Sequence, residues 1–110
     1  MTARVSSIPL IDATEESVGN WVRLRAAPFT AVAVVTGNEA QGAAVTIEGS
    51  ADGVTRVPLV ELTPFGSAAD GAGAHAEYVI APWLFVRARV TSLTGTRIRA
   101  FVTLQDREGD

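Results

Sequence analysis

The sequence predicts an all-β domain, a sandwich or a small barrel, and three observations carry that prediction. Apolar and polar residues alternate with a period of two, and no long window shows a helical period. Valine, isoleucine, threonine and the aromatics concentrate in eight short segments: 4–11, 20–25, 29–36, 43–48, 55–62, 75–81, 84–91 and 96–104. The gaps between them carry turn chemistry, in "VGN", "TGNEAQG", "GSADG", "FGSAADGAGA" and "LTG". Short strands at this spacing argue against alternating βαβ units.

Taken in order, the first nineteen residues form an N-terminal arm or first strand, in which "TARVSSIPLI" is apolar enough to pair with a sheet edge, even that of another chain. "DATEESVGN" is the one helix candidate, with Asp12 or Thr14 placed to cap an acidic turn. In "NWVRLR", Trp21 alternates with Val22 and Leu24 and shares a side with Arg23 and Arg25. "FTAVAVVT" continues the alternation.

"VTIEGSADGVTRVPLVEL" reads as a hairpin that turns at Asp52-Gly53, where glycine takes positive φ without steric cost. Its buried side collects Val45, Ile47, Val57, Leu59 and Leu62, and Pro58 marks an edge strand because it cannot donate to a ladder. "DGAGA" at 70–74 reads as a loose loop. The sandwich proper spans 20–104, and 105–110 is a polar tail.

The closing segment, "RARVTSLTGTRIRA", reads as a second hairpin with Leu93, Thr94 and Gly95 as its loop. That register gathers Val86, Ala88, Val90, Ile98, Ala100 and Val102 on one face. The other face then holds Phe85, Arg87, Arg89, Arg97, Arg99 and Phe101, with Arg89 directly across from Arg99. Like charges placed opposite each other cost stability, so something must relieve them. One answer is internal: Glu48, Glu77, Asp106 or Glu108 neutralises them. The other is a docking face for an acidic partner, with Phe85, Phe101 and Trp83 as apolar anchors.

Composition bounds the function. The chain has 110 residues, enough for one domain with a real core. Its net charge is −3, which gives no global attraction to nucleic acid or anionic membrane, so any basic patch is local. All nine basic residues are arginine, and there is no cysteine for a disulfide, a thiol nucleophile or a thiolate metal site. The N-terminus does not read as a signal peptide, and "AAPFTAVAVV" is far short of a membrane span, so the chain is expected in the cytoplasm when made.

Chemistry is sparse. His75 is the one histidine and reads as a solvated loop residue beside "DGAGA". No nucleophile, base and orienter can be assembled around it. Asp52, Asp70 and Glu77 offer no fixed pair for glycoside hydrolysis and no calcium-loop pattern. The glycine-rich segments do not precede a helix, so neither is a phosphate cradle. The expectation is a protein without catalytic residues, metal or cofactor.

"VTIEGSADGVTRVPL" followed by "YVIAPWLFVRARVTSLTGTRIRAFV" resembles a pattern in small β-sandwich proteins of tailed bacteriophages and phage-like particles. Similar patterns appear in discoidin-like, galactose-binding jelly rolls. The matching residues are Ile47, Glu48, Gly49, Ser50, Asp52 and Gly53, then Val86, Arg87 and Thr94-Gly95, within roughly 43–104. The resemblance implies a two-sheet antiparallel β-sandwich of jelly-roll type, with about eight strands. It also implies a virion component, such as a head-decoration or head-fibre protein, that binds neighbouring subunits as a homo-oligomer without membrane or nucleic acid. Arg87, Arg89, Arg97, Arg99, Phe85 and Phe101 are its expected contact face. A second reading is a carbohydrate-binding module for adhesion to the host surface, with Trp21, Trp83 and the 66–75 loop as the site.

Overall fold

The structure, a computed structural model, describes residues 3–24, 28–37, 41–66, 71–80 and 83–107. Among these the chain forms strands and no helix. The strands are β1 (Ala3–Ala13), β2 (Ser17–Val18), β3 (Val22–Arg23), β4 (Phe29–Thr36) and β5 (Gln41–Ser50). They continue with β6 (Val57–Leu62), β7 (Phe65–Gly66), β8 (Ala72–Val79), β9 (Phe85–Thr94) and β10 (Arg97–Arg107). Two antiparallel sheets result. Sheet I has the order β1-β10-β4-β8 and sheet II the order β2-β9-β5-β6, with β3 also on β9 and β7 also on β5.

Two of the breaks are interruptions within one course of chain. β2 and β3 lie successively along β9, and between them the Gly19 amide still donates to the Ala88 carbonyl at 2.9 Å. β6 and β7 likewise lie successively along β5. Counted as courses, the sandwich has four strands in each sheet. Every connection but the β5–β6 hairpin passes from one sheet to the other, which is the jelly-roll path.

Alternation builds the core. Phe29, Ala31, Ala33 and Val35 of β4 are buried, as are Ile98, Ala100, Val102 and Leu104 of β10. Val45 and Ile47 of β5 and Val86, Ala88 and Val90 of β9 face them from sheet II. Burying each larger aliphatic side chain stabilises the sandwich by about 1.5–3 kcal/mol relative to exposure. Leu10 is the extra residue of a bulge in β1, between the pairs Pro9–Phe101 and Ile11–Ala100, and it too is buried. Pro9, which cannot donate to a ladder, falls on this edge strand.

Several expectations need correction. "DATEESVGN" is not helical: Asp12 and Ala13 end β1, a bend follows, and Ser17 begins β2, its hydroxyl donating to the Glu15 carbonyl. β1 pairs with β10 of its own sandwich. Ala72–Ala74 of the supposed loop belong to β8, and Asp70 lies outside the described residues. Pro58 does sit on an edge strand, but Val57 is exposed, because a bulge at Ile47/Glu48 shifts β6 against β5.

The largest correction concerns the closing segment. β9 pairs with β5 in sheet II, whereas β10 pairs with β1 and β4 in sheet I. The turn at Gly95, at φ 147°, steps between sheets rather than closing a two-stranded ribbon. Val86, Ala88 and Val90 therefore meet Ile98, Ala100 and Val102 across the core.

Candidate functional site

Because β9 and β10 belong to different sheets, their outward residues lie on opposite surfaces of the molecule. Phe85, Arg87 and Arg89 face out from sheet II, while Arg97, Arg99 and Phe101 face out from sheet I. Arg89 does not oppose Arg99, and the single six-residue contact face does not exist. The structure brings these residues together as two sets of three.

On sheet II the arginines converge on one carboxylate. Glu48 stands beside Arg87 in the β5–β9 register and is 2% exposed. Arg87 Nε donates to Glu48 Oε1 at 2.7 Å, Arg89 Nε to Oε2 at 3.1 Å, and Arg56 Nη1 to Oε2 at 3.0 Å. Burial pushes the Glu48 carboxyl up, but the three hydrogen bonds outweigh it and hold its pKa below the ordinary value. The Arg87 guanidinium also stacks on the Trp21 ring, 4.2 Å from its centroid. Phe85 is half-buried beneath the Ser50–Thr55 turn, its ring carbons 3.6–3.8 Å from where a Cβ on Gly53 would lie.

That turn is held by Asp52. Its Oδ1 accepts from the Val54 and Thr55 amides and from the Ser50 hydroxyl, while Oδ2 accepts from the Thr55 hydroxyl. The Thr55 and Val54 amides, more than the hydroxyls, hold its carboxyl far below the ordinary range. With Gly53 at φ 78°, this is a folded turn built on a saturated carboxylate, which leaves Asp52 committed to the backbone rather than to a ligand.

The outer face of sheet I is different. Pro9, Phe101, Val32 and Ala76 form one row in register across all four strands. The neighbouring row is Asp12, Arg99, Val34 and Ala74, and Tyr78 stands exposed near the β8 edge. Arg97 donates to Asp12 from both Nε and Nη2, and this holds the Asp12 carboxyl below its ordinary value. The Arg99 guanidinium makes no hydrogen bond among the described residues. A groove of about 410 Å³ runs here between Ser7, Pro9, Asp12, Arg97, Arg99 and Phe101.

The remaining candidates are dispersed. Trp83 packs against the core, over Gly49 and against Leu59, on the side away from Trp21, so the two indoles do not form one platform. Of the loop 66–75, residues 67–70 lie outside those described. His75 is a strand residue: its Nδ1 accepts the Thr63 amide at 2.8 Å, which leaves Nε2 to face Glu77 at 3.3 Å. Glu77 is on β8, at the sheet I edge, and pairs with His75 rather than with any of the four arginines. Of the acids the sequence offered for neutralising the arginines, Glu48 meets them and Glu77 does not, while Glu108 lies outside the described residues. Arg56 was missed: it reaches Glu48 across the Asp52 turn, and alternation alone does not show that two side chains eight residues apart meet.

No family model matches the chain, and no curated protein matches it. Among solved structures, it is similar to the crystal structure of the SPBc2 prophage-derived protein YomS. The two superpose with a TM-score of 0.59 over 94% of this chain and 96% of that one, at 14% sequence identity. The likeness is one of fold.

Proposed function

We propose that this chain is a non-enzymatic structural component of a tailed-phage-type particle, of the decoration or head-fibre kind. It assembles with copies of itself and with neighbouring subunits through the outer face of sheet I. The observation that carries this reading is the apolar row Pro9–Phe101–Val32–Ala76, which spans four strands with no element of the described chain laid over it. A contiguous apolar row of this kind, rimmed by polar residues, suits a protein–protein contact, and Arg99 beside it makes no hydrogen bond among the described residues. The fold shared with a prophage-derived protein supports the same reading.

The test is the solution mass by light scattering after size exclusion, at low and moderate salt. The unaltered chain is expected to run as a discrete oligomer that salt weakens. Phe101→Asp combined with Arg99→Glu is expected to run as a folded monomer. A monomeric unaltered chain, or an oligomer indifferent to the double substitution, would overturn the assignment of this face.

A further inference from the structure

On sheet II the charge does not balance. Three guanidinium groups, from Arg56, Arg87 and Arg89, meet the single carboxylate of Glu48. One bidentate arginine satisfies a buried carboxylate, so two positive charges are in surplus, held close together by the strands that carry them. Each arginine spends one nitrogen on Glu48, and no buried side-chain nitrogen lacks a partner among the described residues, so the other donors face solvent. Among the described residues, other acids on this side do not take them up. Glu61 is across Thr46 from Arg89 and makes no ion pair with it. Glu16 borders a shallow groove with Arg89, again with no hydrogen bond between them among the described residues.

The group is also preorganised. Glu48 fixes the Nε edges of Arg87 and Arg89, and the Trp21 ring covers one face of Arg87. Their terminal amino groups therefore present a fixed set of donors at little entropic cost to a ligand. We infer that this outer face of sheet II is an oxyanion-binding site, in which Arg56, Arg87 and Arg89 take a carboxylate, sulfate or phosphate group. The anion bridges the free guanidinium edges, and Glu48 holds them in place and does not touch it. The site lies on the sheet opposite to the docking face, so it stands or falls independently of the assembly reading.

The test uses NMR of the unaltered chain, following the arginine Nε–H signals and the Trp21 indole signal. The titrants are sulfate, phosphate and a tetra-aspartate peptide, each against chloride at matched ionic strength. Saturable shifts of the Arg87, Arg89 and Trp21 signals are expected with at least one titrant. Saturation by the inorganic ions identifies a free-anion site, and saturation by the peptide alone identifies an acidic protein surface as the source. Arg56→Gln combined with Arg89→Gln leaves Arg87 to balance Glu48, so the fold is retained while affinity falls about tenfold or more. Shifts equal to those from chloride, or unchanged affinity in the folded double variant, would overturn the inference.

Discussion

Glu48→Gln is the substitution that most sharply separates a structural arginine cluster from an incidental one. The carboxylate is 2% exposed and accepts three charge-assisted hydrogen bonds. A guanidinium and a carboxylate about 4 Å apart attract by about 4 kcal/mol at an effective dielectric of about 20. The neutral amide escapes the desolvation cost of the carboxylate, which offsets part of that gain. Its NH₂ group, however, meets donors, and three guanidiniums are left facing one another. Arg56 is half exposed, at 55%, so solvent screens its share. The net loss should be about 3 kcal/mol, the low end of what breaking a buried pair costs. For 110 residues, with an unfolding entropy of about 2.1 cal/mol/K per residue, that lowers Tm by about 13 °C.

The pH dependence gives a second reading of the same variant. Glu48 has its folded pKa lowered, so its stabilisation is present above the ordinary glutamate pKa, about 4.3, and is lost as pH falls through the folded value. Thermal unfolding of both proteins at pH 7 and at pH 3 should therefore show a full difference at pH 7 that narrows at pH 3. A Tm shift under about 4 °C at pH 7, or a difference that is the same at both pH values, would refute the reasoning.

Two further substitutions test the packing and the turn. A Cβ on Gly73 would lie 2.3 Å from the backbone of Phe65, so Gly73→Ala should destabilise by about 3 kcal/mol in urea unfolding, as an overpacked site with no flexible neighbour to yield. Asp52→Ala should lower Tm more than Asp52→Asn, since the amide keeps an oxygen for the Val54 and Thr55 N–H groups; equal losses would mean that those bonds do not hold the turn.

Much of the fold was legible because alternation reports which residues face the core. Val86, Ala88 and Val90, like Ile98, Ala100 and Val102, were identified as inward, and they are. Alternation does not report which sheet a strand joins. The same inward residues satisfy a two-stranded ribbon, where they sit side by side, and a sandwich, where they meet across the core. Only the order of pairing, β9 on β5 and β10 on β4, decides between them. The error at the candidate site follows directly: a strain invoked between Arg89 and Arg99 vanishes once they lie on opposite surfaces. Glu48 was visible as a neutralising acid, but its claim on Arg56, Arg87 and Arg89 together depends on the β5–β9 register and on the return of the chain after the Asp52 turn. "DATEES" looked like a capped helix because its residues favour caps; pairing of Asp12 beside Arg99 in β1 and β10 prevailed over that local preference.

The central claim is that the four arginines serve two opposite faces, and a distance measures it directly. The chain has no cysteine, so Arg89→Cys with Arg99→Cys takes two spin labels and no others. Arg87 and Arg56 still balance Glu48 in that variant. With sheets about 10 Å apart and each label reaching outward, the electron–electron distance should be on the order of 25 Å. Labels on one face, at positions paired about 5 Å apart, would instead lie within about 15 Å of each other, and that result would contradict the account.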